Sequence, residues 1–443
     1  MLSENPPTQL KRELGWFGTA VMGLASAIGA GIFVNIGNVV DISGSAAIIA
    51  LVVAGILATV NSLNIIQLAI NHPVSGGIYE YGYKYLAPWL GFIGGWIYFF
   101  NRTAIAATAA LGFSGYLLSS LGLTGSGISV IVAEIAVLVA NLIVLGGIQR
   151  AKNLTVAITS ITIGSLFFLI FVGLYICFNH GFKPLNLSIN YSSDEIIGLL
   201  QSVALTFAFY NSADRIAMVG EEIIDPRKNI PKAVILVISL IMLIYIGVVV
   251  VGLGSIGAEA LAEGTTVQSA PLRVVAESFN IPGASNLLVA GAITAMFGGL
   301  LMSTLGISRL LLAFGRRGDM PNFLTNLRES DSTPDLAVIT AGIIIGIFVL
   351  TGDVKTTWAL GTFGALCKSI IFCLAALQLS QQERLYPRWL TWLSLWSSLP
   401  LVFFLEWHYW LTGIGLIGIG LLWRFTFLQI SRGKNTQLTL KDE

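Results

Sequence analysis

The chain has 443 residues, 55% hydrophobic and 11% charged, with a formal net charge of +1. A soluble domain carries about 25% charged residues, so the composition excludes an ordinary soluble enzyme or binding module. The near-zero net charge offers no electrostatic footprint for nucleic acid.

Mean hydropathy is +0.82, and many apolar runs reach the roughly 20 residues that cross about 30 Å of hydrocarbon. The expectation is an all-α polytopic membrane protein with about twelve transmembrane helices. In chain order the apolar segments are 15–40, 44–70, 89–119, 126–147, 154–178, 196–219, 232–257, 284–315, 335–351, 357–379, 387–405 and 409–428. They are called spans 1 to 12 below. Span 9 is short for a full crossing. Residues 1–14 and 429–443 read as cytoplasmic ends, and no cleavable leader is expected, because the first apolar run is too long and follows a polar start.

Charge placement supports an even count. Of 24 Lys and Arg, seventeen fall on the side shared by both termini, and three (Lys183, Arg273, Lys355) on the other. The remaining four (Arg102, Arg215, Arg309, Lys368) lie within spans. Such a bias places both termini in the cytoplasm of a plasma (inner) membrane protein. Trp389, Trp392, Trp396, Trp407 and Trp410 suit interfacial anchors on the last two spans. The loop from Gly257 to Pro282 is long enough for a short helix, and Pro73 with Gly76-Gly77 breaks the chain after span 2.

Two spans are irregular. Span 1 reads Ser26-Ala27-Ile28-Gly29-Ala30-Gly31-Ile32-Phe33 at its centre. Small residues there permit either close helix packing or an opened backbone whose freed groups need a partner. Span 6 carries Tyr210-Asn211-Ser212-Ala213-Asp214-Arg215, and a carboxylate and a guanidinium at mid-span must face a cavity or each other. The irregular spans are five apart. An odd number of spans per repeat inverts the second copy, so 15–178 and 196–379 read as inverted five-helix repeats, with 387–428 adding two helices. Broken helices in inverted repeats are the pattern of secondary transporters.

Four stretches resemble the amino acid–polyamine–organocation superfamily. They are Ile28-Gly29-Ala30-Gly31-Ile32-Phe33; Pro73-Val74-Ser75-Gly76-Gly77-Ile78-Tyr79; Glu221-Glu222-Ile223-Ile224-Asp225-Pro226-Arg227-Lys228-Asn229-Ile230-Pro231; and Ser308-Arg309 with Arg316-Arg317-Gly318-Asp319-Met320-Pro321 and Thr333-Pro334. The resemblance implies the leucine-transporter-type fold. It further implies that a substrate carboxylate meets main-chain N–H groups at Ala27, Ile28, Gly29, Ala30 and Gly31, while the ammonium meets carbonyls of spans 1 and 6. A half-helix N-terminus favours an anion, in keeping with that assignment. Alignment without gaps places Ser212 where the family usually has Gly and Asp214 where many members have Glu. Asn101, Arg102 and Ser303 fall at side-pocket positions. Thr162 stands where some members carry a coupling lysine, and Ser303 with Thr304 offers oxygen ligands for sodium. The coupling ion is therefore H⁺ or Na⁺, with no cofactor and no resident metal expected.

Each remaining candidate has a plainer alternative. Asp214 reads as a substrate or gating carboxylate, or as half of a buried ion pair whose first partner to consider is Arg102 and second Lys368. Arg102 reads as a specificity residue or only as that counter-ion. Lys368 is intramembrane and functional by default, whereas Arg215 more readily faces a polar crevice than cargo. Glu221 and Glu222 read as a solvated gate network near Arg227 and Lys228, joined by Arg309. Arg316-Arg317 reads as loop charge alone, and Asn61, Asn64 and Gln67 as inter-helix hydrogen bonds. Cys177, Cys367 and Cys373 have neither zinc nor disulfide spacing and read as packing residues. No phosphate-loop spacing is present, so no nucleotide-binding subunit is expected. The resulting expectation is an ion-coupled amino acid (or amine) transporter working by alternating access. The alternatives are an amino acid exchanger and a non-transporting amino acid sensor.

Overall fold

The structure is a computed structural model that describes residues 12–123, 126–184, 192–268, 270–328, 332–351 and 353–439. Most of the N-terminal segment 1–14 and the last residues of the tail 429–443, with Lys11 and Lys441, lie outside them, as do the side chains of Lys152, Arg432 and Lys434.

Among the described residues the elements are helical, apart from two isolated β-bridges. Nine helical stretches among the described residues are long and apolar enough to cross a membrane, and the first, Trp16–Asn71, contains spans 1 and 2 together. Span 9 is the 15-residue helix Asp335–Val349, about 22 Å at 1.5 Å per residue. Span 11 is Arg388–Leu401, extended by a 3₁₀ turn over Val402–Phe404. Each expected apolar segment thus lies on a helix. The long loop after span 7 folds as two short helices, Ala258–Gln268 and Pro271–Glu277, the first packing on the C-terminal half of span 1.

Spans 3 (Pro88–Ser120), 8 (Ala284–Arg317) and 10 (Val354–Leu377) form the centre. Each is buried over 72% of its most apolar window, against 11% for span 12. Span 3 packs along both 8 and 10. Its small face explains the closeness: a Cβ on Gly364 of span 10 would sit 2.7 Å from Asn101 Cβ, and one on Gly361 2.7 Å from Ile105 Cγ1. The outer spans expose continuous aliphatic faces, as Ile339, Ile343 and Ile347 of span 9 do, which suits a bilayer solvent that matches them in polarity.

Span 2 (Ala47–Asn71) ends at His72-Pro73. The chain then turns through Gly76 (φ 105°) and Gly77 (φ 43°) into a short helix, Ile78–Tyr85. These positive φ values favour glycine, and a Cβ on Gly76 would also lie 2.8 Å from Ala313 Cβ. This turn, the end of span 6 and the start of span 1 meet at one end of the molecule. There Leu14 bridges Ile223 and Ser75 bridges Val219. That end, where most loop Lys and Arg cluster, is called the basic end below.

Candidate functional site

Span 1 is interrupted where its glycine–alanine centre predicts. The first helix, Trp16–Ala27, stops at Ile28, which is extended (φ −77°, ψ 105°). The helix resumes at Ala30, passes through a π-turn over Gly31–Asn35, and continues as Ile36–Ser43. The first N–H groups of a resumed helix have no intrahelical acceptor, and Gly29 to Ile32 are buried. Side chains answer three carbonyls along the interrupted span. Tyr245 Oη donates to Ala27 O (2.8 Å), Asn35 Nδ2 to Ala30 O (3.0 Å) and Tyr116 Oη to Phe33 O (2.6 Å).

Span 6 is interrupted as well. The helix Ser193–Phe207 tightens to a 3₁₀ turn over Ala208–Tyr210, opens at Asn211 (φ −71°, ψ 84°), and restarts as Ala213–Met218. Asn211 Nδ2 and Ser212 Oγ are buried without a partner. The two breaks face each other: a Cβ on Gly31 would sit 2.9 Å from Phe209 Cδ1. Tyr245 of span 7 (Pro226–Ser255) joins them, its hydroxyl also lying 3.5 Å from Phe209 O. Phe209 is boxed edge-on by Tyr245 (6.0 Å between centroids) and Trp358 (5.4 Å).

Beside the second break lies a buried charge cluster. Asp214 Oδ2 pairs with Lys368 Nζ, both side chains 2% exposed. Lys368 also donates to Asn101 Oδ1 (3.1 Å), which accepts from Arg102 Nε (3.0 Å). Asn101 Nδ2 donates to Gly361 O, tying span 3 to span 10. Lys368 and Arg102 lie 5.4 and 5.8 Å from the centroid of the Tyr98 ring. The expected first partner of Asp214, Arg102, is thus replaced by the second, Lys368. A long flexible ammonium stem from span 10 reaches the carboxylate, whereas Arg102 turns its Nε back to the neighbouring Asn101. Ser303 is buried with its hydroxyl unpartnered, but Thr304 Oγ1 donates to Leu300 O of its own helix (3.0 Å). Thr162 is likewise engaged, with Thr294 Oγ1 at 2.9 Å.

Two narrow cavities flank the breaks. Toward the basic end, about 20 Å³ lies among Thr19, Ser26, Tyr98, Arg215 and Gly306. Toward the opposite end, about 40 Å³ lies among Asn35, Asp41, Trp358, Lys355 and Glu406. Each holds little more than a water or two, so both paths to the breaks are constricted.

Glu222 and Arg309 are not part of that centre and lie instead at the basic end. They pair at 2.8 Å with side chains 2% and 3% exposed. The Glu222 carbonyl accepts from Glu13 N and Leu14 N, both at 3.0 Å. Glu222 is therefore buried, not solvated, and its partner is Arg309 in place of Arg227 or Lys228. Arg316 and Arg317 do more than bias charge. Arg316 pairs with Glu221 (3.2 Å), and Arg317 pairs with Glu80 (2.5 Å) and stacks over Tyr83 at 4.4 Å. Asp319 gathers Tyr79 (2.7 Å), Tyr83 (2.5 Å) and Arg424 (3.4 Å). Two amides of span 2 bond between helices as expected, Ser369 Oγ donating to Asn61 (2.8 Å) and Thr391 Oγ1 to Asn64 (2.6 Å), whereas Gln67 Nε2 donates to Asn64 Oδ1 of its own helix (3.2 Å).

Tyr245, Phe209, Trp358 and Tyr98 escape sequence reasoning. Tyr245 leaves one trace, a lone hydroxyl in the aliphatic run Ile241–Val251, where a buried O–H demands an acceptor.

Comparison with known proteins is consistent along nearly the whole chain. The family model "Amino acid permease" matches residues 18–435. An uncharacterised transporter of Mycobacterium tuberculosis is 30% identical over 94% of this chain and 91% of its own length. The branched-chain amino acid permease of Bacillus subtilis is 25% identical over 86% and 83%. A vacuolar cationic amino acid transporter of Arabidopsis thaliana is 24% identical over 83% of this chain but 63% of its own length. A polytopic helical chain with two opposed helix breaks, matched from end to end in this way, belongs to the amino acid permease family of the amino acid–polyamine–organocation superfamily.

Proposed function

We propose that this protein is a secondary active transporter of amino acids, working by alternating access, with substrate held between the breaks of spans 1 and 6. The carrying observation is the pairing of those breaks. The buried N-terminus of the resumed span 1 helix faces Phe209 across Gly31, beside a polar cluster on spans 3, 6 and 10. Such a helix end carries about half a positive charge and suits a carboxylate. The donor groups of Ile28, Gly29, Ala30 and Gly31 are the proposed carboxylate site, and the carbonyls of Ala27 and Phe209, now shared by Tyr245, the proposed ammonium site. Asn101, Arg102, Ser212, Asp214 and Ser303 would line the side pocket.

In this reading residues 15–178 and 196–379 are inverted halves, 387–428 are added helices, and both termini lie in the cytoplasm of the plasma membrane. The Glu222–Arg309 pair and the Arg317–Glu80 pair act as the inner gate. Uptake is coupled to H⁺ or Na⁺. The names of the relatives in Bacillus and Arabidopsis support amino acids as cargo. Purified protein in proteoliposomes, loaded against radiolabelled amino acids under imposed H⁺ or Na⁺ gradients, should accumulate substrate. Saturable binding without flux under any gradient or in counterflow would refute transport.

A further inference from the structure

The buried cluster beside the span 6 break carries more positive charge than its own carboxylate neutralises. The charges acting on Asp214 come from Lys368, Arg102 and Arg215, three cations around one carboxylate. Lys368 holds Asp214 Oδ2. The guanidinium groups cannot shed their protons, and among the described residues neither forms an ion pair. Arg102 has no exposed surface, yet its Nη1 and Nη2 have no acceptor. Arg215 lines the cavity with Ser26 and Tyr98, and its Nε and Nη1 are also unmatched. The Tyr98 ring face beside Arg102 compensates only weakly. A buried guanidinium without an anion is among the costliest arrangements in a membrane interior. The unpartnered Ser212 and Thr362 hydroxyls add neutral donors nearby. Free guanidinium edges match a carboxylate in charge and in planar geometry.

We infer that the cargo brings a second negative charge: the site selects acidic amino acids, with the side-chain carboxylate between Arg102 and Arg215. This rests on the transport reading for the placement of the α-carboxylate. Taken alone, Asp214 would favour a cationic side chain, but Lys368 neutralises it and leaves the arginines to set the sign.

The test is a ligand panel on the purified full chain, read two ways. Thermal stabilisation in detergent by glutamate, aspartate, leucine and lysine reports binding, and proteoliposome flux of the same four reports transport. Both are run in chloride and in gluconate. Glutamate or aspartate should stabilise at concentrations at least about 30-fold below leucine or lysine, and Arg102→Gln or Arg215→Gln should each erase that preference, because the side-chain carboxylate would lose one of its two charged partners. Should Arg102→Gln not fold, Arg102→Lys, which keeps charge without the fork, should retain part of the preference. Leucine or lysine binding as well as the acidic pair would overturn the inference while leaving transport standing. Chloride stabilising as much as glutamate, with no further effect of glutamate, would also overturn it. Arginine-dependent glutamate binding without flux would uphold the inference and refute transport.

Discussion

Replacing Gly31 with alanine tests the opposition of the two breaks. The added Cβ would lie 2.9 Å from Phe209 Cδ1, 3.0 Å from Phe209 Cγ and 3.2 Å from Trp358 Cη2. Phe209 cannot swing aside without moving Tyr245 or Trp358, both packed edge-on against it. Inserting a methyl into such a core costs about 1–3 kcal/mol, while the helical preference of alanine over glycine returns roughly 0.5–1 kcal/mol. The expected net loss is about 0–2.5 kcal/mol. Gly29 is the internal control, since a Cβ there would meet only Ala295 O, at 3.6 Å. Thermal unfolding of the purified protein in detergent should rank Gly31→Ala below Gly29→Ala. Phe209→Leu should restore part of the loss in the Gly31→Ala background, with a coupling energy of about 0.5–3 kcal/mol as expected for residues in contact. Equal stability of the two alanine variants, together with no coupling to Phe209, would refute the facing of the breaks.

Asp214→Asn should destabilise more than Lys368→Met. The first leaves three cations without a carboxylate, at the upper end of the roughly 3–5 kcal/mol for breaking a buried pair; the second leaves Asp214 among arginines that can take it up. The reverse order in melting temperature would refute the charge assignment. Tyr245→Phe removes the donor to Ala27 O and should cost about 0.6–1.7 kcal/mol in thermal stability, the scale of an inter-helix hydrogen bond in a membrane protein; an unchanged melt would show that this bond contributes nothing. Glu222→Gln leaves Arg309 buried and unpaired, and should open the basic end. With Cys177, Cys367 and Cys373 replaced, a Ser26→Cys thiol should then react with a water-soluble maleimide at least about tenfold faster than in the Glu222 parent, 1.4 kcal/mol of gate stability being a factor of ten. Unchanged labelling would show that the pair does not seal that end.

The sequence alone determined the spans and their interruptions, because both are local properties. Hydrocarbon demands apolar runs of bilayer length, and Gly29 with Gly31 or Asn211 to Arg215 cannot continue such a run at no cost. The turn at Gly76-Gly77, the short helices after span 7 and the amide ladder of span 2 were legible for the same reason. The tertiary structure decided what meets what. Whether Asp214 takes Arg102 or Lys368 depends on how spans 3, 6 and 10 are set side by side, and three cations of equal charge in different spans carry no sign of which will arrive. Glu222 finds Arg309 because the exit of span 6 lies under span 8, not because of its neighbours in the chain. Tyr245 closes both breaks from span 7, a contact 218 residues from Ala27. Hydropathy and backbone preference act within a few residues, while the pairing of charges and hydroxyls is settled by packing at ångström distances, after the helices are in place.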